Sequence, residues 1–193
     1  MKTSVWHKEI LPFASREVLS DLLRTMRLSQ FYLAGGTGLA LLLGHRLSRD
    51  FDFFSAKLFN EDSLIQCMQG LHDLTIVAKS EHTVHITLKG LKVSFLGYSY
   101  PLLFPMKQYR PAEGISIDVA DEIDIACMKI SAISSRGTRR DFVDLYKVAR
   151  STRCWNCMDC FKRSSVSHHI IMFIFLNRSR TLQMRNQNLC RIN

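Results

Sequence analysis

The sequence predicts an α+β domain in which helices flank a mixed sheet and a helical part follows. Three observations predict it. A helical stripe, a short apolar run and a glycine cluster succeed one another before Gly44. Segments of strand length then recur from Asp50 to Val119, and helical spacing returns after Asp121. The order helix, strand, turn, helix, strand, then a sheet, then helices is that of one α+β unit.

Each element has its own signal. Val18, Leu19, Leu22, Leu23 and Met26 place a helical stripe across residues 15–28, with Ser15 as a fair N-cap. Phe31-Tyr32-Leu33-Ala34 suits a short buried strand, and Gly35-Gly36-Thr37-Gly38 breaks it. Leu39 to Leu43 restarts as a helix that Gly44 ends. Asp50-Phe51-Asp52-Phe53-Phe54 alternates polar and aromatic residues, the period of a strand. Asn60 caps a helix running to about Leu71. Strands are expected at 74–78, 84–88, 92–96 and 115–119, and 98–111 is expected to be a loop punctuated by Pro101, Pro105 and Pro111. Asp121 caps a helix through Ser134, Gly137 closes it, and Thr138 opens the next, to about Ala149.

Composition narrows the classes. A chain of 193 residues with 47% hydrophobic residues can bury a real core. Residues 1–15 contain Lys2, His7, Lys8 and Glu9 and no apolar h-region, and no apolar run reaches the ~18 residues of a membrane span. The six cysteines are not dense enough for a disulfide scaffold and read as reduced thiols in a cytoplasm. The formal net charge of +9 favours acidic partners, but Lys162, Arg163, Arg178, Arg180, Arg185 and Arg191 supply six of those charges without one acid. The charge of the domain itself is therefore weak support for RNA binding.

Two motifs carry chemistry. In Gly35-Gly36-Thr37-Gly38, glycines let backbone N–H groups approach a phosphate, and a helix N-terminus adds positive potential. Thr37 is expected to cap that helix and to offer its hydroxyl to a phosphate oxygen. Taken alone, the cluster is better read as a tight strand-to-helix turn. In Asp50-Phe51-Asp52, residues two apart on a strand share a face, so both carboxylates project together while Phe51 and Phe53 enter the core. Paired carboxylates repel each other and suit Mg²⁺, unless Arg46 or Arg49 pairs with them. The combination shifts the balance, because a glycine turn, one helix and a two-aspartate strand set a phosphate cradle beside metal ligands. Later, Lys129 lies mid-helix, and Asp141 and Asp144 share a helix face. Thr138 with Asp141 also resembles a capping box.

Over about residues 28–150 the sequence resembles the AbiEii/AbiGii family of nucleotidyltransferase toxins. The resemblance is carried by "FYLAGGTGLALLLGHRLSRDFDFF" and "DIACMKISAISSRGTRRDFVDLY". It implies a DNA-polymerase-β-like nucleotidyltransferase core. It implies Mg²⁺ and a nucleoside triphosphate as co-substrates, with a tRNA acceptor. It also implies a neighbouring antitoxin, and a role in phage defence. On that resemblance Gly35, Gly36 and Thr37 fall on the glycine motif, Asp50 and Asp52 on the metal motif, and Lys129 on a triphosphate-contacting lysine. Asp144, with Asp141 as the alternative, falls on the late catalytic aspartate, which orients or activates the acceptor hydroxyl.

Two departures stand out. Polymerase-like sites commonly take a third carboxylate from a neighbouring strand, and here Lys92-Val93-Ser94-Phe95-Leu96 offers Ser94, with Asp118 as the substitute. This leaves a catalytically degenerate nucleotide- or RNA-binding module as the alternative reading. The second departure is the end of the chain. The expected division is a 1–120 core, a helical part at 121–161 and an atypical tail at 162–193, which is basic, lacks acids and has no helical stripe. A frameshift near Phe161 is the expected origin of that tail, and an intact frame at the gene's 3′ end would refute it. Cys154, Cys157 and Cys160 with His168 and His169 offer a zinc set, but their spacing lacks paired knuckles and the cysteines read as core residues. His7, His45, His72, His82 and His85 read as surface or satisfied polar residues.

Overall fold

A computed structural model describes residues 5–26, 28–135 and 137–151. The cysteine run, His168, His169 and the basic tail lie outside the described residues. A short 3-10 turn, Lys8–Ile10, leads into α1 (Phe13–Thr25). The helix starts earlier than Ser15 because Pro12 stands at the N-cap with φ −54°, already suited to a helix start. Ser15 is buried instead, and its hydroxyl faces the Arg49 carbonyl.

The strands are β1 (Tyr32–Leu33), β2 (Phe51–Ser55), β3 (Leu74–Ser80), β4 (Thr83–Leu88), β5 (Leu91–Gly97), β6 (Lys107–Ala112) and β7 (Ile115–Val119). They form one sheet in the order β3-β4-β5-β2-β1-β7-β6. The sheet is mixed, since β2 runs parallel to β5 and β1 parallel to β7, while the other neighbours are antiparallel. Strand β6 corrects the expected 98–111 loop. It is an edge strand whose pairing with β7 becomes irregular between Tyr109 and Ala112, and such an edge tolerates the missing N–H of Pro111.

The remaining helices are α2 (Gly35–Leu43), α3 (Glu61–Cys67), α4 (Glu122–Ser135) and α5 (Arg139–Ser151). Asn60 caps α3 by accepting from the Ser63 N–H at 2.9 Å. That helix stops before Leu71, where the Met68 and Gln69 N–H groups turn to carbonyls three residues back. Asp121 accepts from the Ile123 N–H and opens α4. Half of the expected capping box at Thr138 forms: the Asp141 carboxylate accepts from the Thr138 N–H at 3.2 Å and hydroxyl at 2.6 Å, while the Asp141 N–H goes to the Thr138 carbonyl at 3.0 Å.

Alternation in the strands divides the core. Phe51 and Phe53 join Val84, Ile86, Val93, Phe95 and the α1 stripe in one buried cluster. A second cluster holds Tyr32, Leu39, Ile123, Ala126 and Val148, joining α2, α4 and α5 to the sheet. Asp52, between Phe51 and Phe53, necessarily points to the face opposite the first cluster.

Candidate nucleotide and metal site

The expected glycine turn is a correction at the level of backbone. Gly35 to Gly38 do not form a separate loop; they are the first turn of α2, which begins at once after β1. Ala34 is the N-cap, so Thr37 does not cap the helix. The first intrahelical bond runs from the Gly38 N–H to the Ala34 carbonyl at 2.9 Å. The N–H groups of Gly35, Gly36 and Thr37 thus belong to the helix's donor-rich end, where partial positive charge gathers.

That end adjoins the Asp52 carboxylate. Asp50 immediately precedes β2, and Asp52 lies within it. A Cβ on Gly35 would stand 2.4 Å from Asp52 Oδ2, closer than any real contact. Gly35 also has φ +60°, a backbone state that favours glycine. The glycine is therefore required twice, by its conformation and by the carboxylate packed on it.

Thr37 is buried, and its hydroxyl turns inward. It lies 2.6 Å from the Ser48 hydroxyl and donates to the carbonyl of Asp50. The side chain thus ties the first turn of α2 to the segment that delivers Asp50, while the Thr37 N–H remains at the helix end.

A cation cluster adjoins the same turn. Arg46 donates from Nε and Nη2 to the two oxygens of Asp144 at 2.8 and 3.0 Å. A Cβ on Gly36 would lie 2.3 Å from Arg46 Nη2. Asp144 is fully buried and also meets His45 Nε2 at 2.8 Å and Lys129 Nζ at 3.0 Å. Burial by itself would raise the Asp144 pKa. Hydrogen bonds from His45 and Arg46 and the Lys129 charge outweigh it and hold the carboxyl well below the ordinary range. Lys129 also reaches Asp141 Oδ1 at 2.8 Å.

The structure thus brings together Gly35, Gly36, Thr37, Asp50 and Asp52, and links Lys129 and Asp144 to them through Arg46. Arg46 was expected as a partner of Asp50 and Asp52 and His45 as a satisfied polar residue, and both prove to hold Asp144. Nothing in the sequence signalled the Asp144 contact beyond their position, directly after the Gly44 helix end and between the two motifs. The Asp144 oxygens are thus taken by Arg46, His45 and Lys129.

Ser94 sits on the strand neighbouring Asp52, as expected for the third-acid position, paired with it across β2 and β5. Asp118 pairs with Tyr32 and is separated from β2 by β1. Asp118 is therefore not beside Asp52. Among the described residues no group of three His, Cys, Asp or Glu side chains gathers to hold a metal. A pair of carboxylates still fits Mg²⁺, which takes one or two of them and completes its shell with water and substrate phosphates. Arg46 pairs with Asp144 and feels the Asp50 charge, while Lys129 pairs with Asp141 and Asp144.

Known proteins share the family and the fold of this chain. The sequence model of the family described as "Nucleotidyl transferase AbiEii toxin, Type IV TA system" matches residues 18–120. An uncharacterized protein of Aquifex aeolicus (strain VF5) is 35% identical over 166 residues, which is 85% of this chain and 79% of that protein. The solution structure of the antibiotic-resistance factor ANT(2'')-Ia is similar at TM-score 0.53 and 10% identity, over 91% of this chain and 97% of that one. At that identity the likeness shows a shared fold. The Megavirus polyadenylate synthase is similar at TM-score 0.47 and 14% identity, over 72% of this chain, which spans 31% of that enzyme.

Proposed function

This chain belongs to the AbiEii family of nucleotidyl transferase toxins, and we propose that it moves a nucleotide from a nucleoside triphosphate to a hydroxyl of an RNA acceptor, tRNA first among them, with Mg²⁺ as cofactor. In this reading it is the cytoplasmic toxin of a toxin–antitoxin pair that acts in phage defence. Among the described residues no helix is long and apolar enough to cross a membrane.

The observation that carries the reading is the approach of Asp52 to Gly35, which sets a carboxylate against a helix N-terminus. Two groups of opposite preference meet there: N–H donors that favour phosphate, and carboxylates that favour a cation. A magnesium–triphosphate unit satisfies both at once. Asp50 and Asp52 would hold the metal, which when bound neutralises phosphate charge and orients the triphosphate. The N–H groups of Gly35, Gly36 and Thr37 bind phosphate oxygens. Arg46, whose side chain is 21% exposed, keeps a cation at the mouth of that turn. Lys129 and Asp144 stand behind it, fixing the plane of its guanidinium and acting on the triphosphate through it.

The test incubates the protein with labelled nucleoside triphosphates, Mg²⁺ and total tRNA, beside Asp50→Ala/Asp52→Ala. Label transferred by the wild type alone supports the reading. Nucleotide binding without transfer, by a protein of unchanged melting temperature, would replace it with the degenerate binding module that Ser94 opposite Asp52 favours.

A further inference from the structure

Beside Asp52 lies a polar row that the proposed site does not use. Ser94 of β5 pairs with Asp52 of β2, and His85 of β4 pairs with Ser94 on the other side. Register partners share a sheet face, so Asp52, Ser94 and His85 stand in line, each step being about 4.8 Å. The flanking residues Val84, Ile86, Val93 and Phe95 are buried on the opposite face. His85 Nδ1 lies 3.0 Å from Ser94 Oγ. Across β3, His85 faces Ala78, a small residue with no charge to claim the ring.

Transfer to a hydroxyl requires a proton acceptor near the metal pair. Asp50 and Asp52 have their lone pairs turned to a cation in the proposed reading. Asp144 is buried among His45, Arg46 and Lys129. Of the described histidines, His7 meets Glu9, His45 is committed to Asp144 and His82 Nδ1 to the Phe59 carbonyl, while His72 lies in the connection between α3 and β3. The His85–Ser94 pair is left, half-buried, on the face that carries Asp52.

We propose that Ser94 and His85 form a proton relay that activates the acceptor hydroxyl, an inference that rests on the transferase reading. The acceptor O–H gives its proton to Ser94 Oγ while the Ser94 proton passes to His85 Nδ1. The acceptor oxygen bonds the α-phosphorus. The bond from that phosphorus to the bridging oxygen breaks, and pyrophosphate leaves with the electron pair. The imidazolium then releases one proton to solvent. A neutral base one hydroxyl removed from Asp52 adds no third negative charge to the metal pair.

The test measures transfer from labelled nucleoside triphosphates to total tRNA by the full chain. His85→Asn keeps an acceptor for the Ser94 hydroxyl but has no basic nitrogen. It should lower kcat about 100-fold, within the range of a lost general base, and leave KM for the triphosphate within about twofold. Imidazole added to His85→Ala should restore part of kcat. Ser94→Asp, which places a carboxylate base beside Asp52, should make activity independent of His85. Nitrogen NMR of the unloaded protein supplies a readout apart from activity, because Ser94→Ala should shift the His85 Nδ1 signal. Wild-type kcat in His85→Asn, a loss that imidazole does not relieve, or an unmoved Nδ1 signal overturns the relay while the transferase reading stands. No transfer by the wild type overturns both.

Discussion

Arg46 lies against Gly36 so closely that a Cβ there would come within 2.3 Å of Nη2. A guanidinium at the end of a flexible chain ordinarily steps aside at little cost. Here it is fixed by the fork to Asp144, so yielding means breaking a charge-assisted hydrogen bond. Gly36→Ala should therefore cost about 1–3 kcal/mol of stability, read as a lower melting temperature, and raise KM for the triphosphate. If Arg46→Ala is made first, adding Gly36→Ala should cost little more, and a double-mutant cycle reads that coupling. Additive losses would separate the two residues.

Thr37 is expected to matter through its hydroxyl and not through its methyl. Thr37→Val removes the group that joins α2 to Ser48 and to the Asp50 carbonyl. Buried acceptors left without a donor cost about 1–3 kcal/mol. Loss of the tie should also loosen Asp50, so the Mg²⁺ concentration needed for half-maximal transfer should rise. Thr37→Ser keeps the hydroxyl and should hold both the melting temperature and the metal dependence near wild type.

Local signals were legible, and long-range ones were not. The Phe51 and Phe53 alternation marked β2 because strand period is written in adjacent residues, whereas Ser94 beside Asp52 was expected only from the resemblance to polymerase-like sites. The glycines were read as a cradle for phosphate. Their first demand comes from inside the protein, Gly35 from Asp52 and Gly36 from Arg46, residues that the chain brings back from beyond α2. The Arg46–Asp144 fork spans 98 residues, and no local pattern announces a contact of that separation. Pro111 misled in the other direction, since its dislike of strands holds for central strands and β6 is an edge.

Metal dependence gives a sharper test of the two carboxylates than activity alone. Asp50→Asn and Asp52→Asn each remove one negative charge from the proposed metal site. Either change should lower transfer roughly a thousandfold, the order of several kcal/mol of lost charge stabilisation. Chelation by EDTA should abolish wild-type transfer, and Mg²⁺ in excess should restore it. A variant that keeps transfer and its Mg²⁺ dependence would move the metal elsewhere.

Acid should weaken this fold through Asp144. Its folded pKa is depressed below the ordinary value, so the sign is that of a carboxylate stabilised by its partners. The stability it supplies is fully present above the unfolded pKa of about 3.9, and it is lost as pH falls below that value toward the folded one. The melting temperature of the wild type should therefore drop on acidification below about pH 4. Asp144→Asn leaves Arg46 and Lys129 facing a neutral amide in a buried place, which should cost about 3–5 kcal/mol at neutral pH. The same variant should flatten the acid limb, because the group that titrates there is gone. Melting curves of both proteins between about pH 2 and 7 give the comparison. Parallel acid limbs would mean that other carboxylates govern acid unfolding and that the Arg46–Asp144 fork contributes little to it.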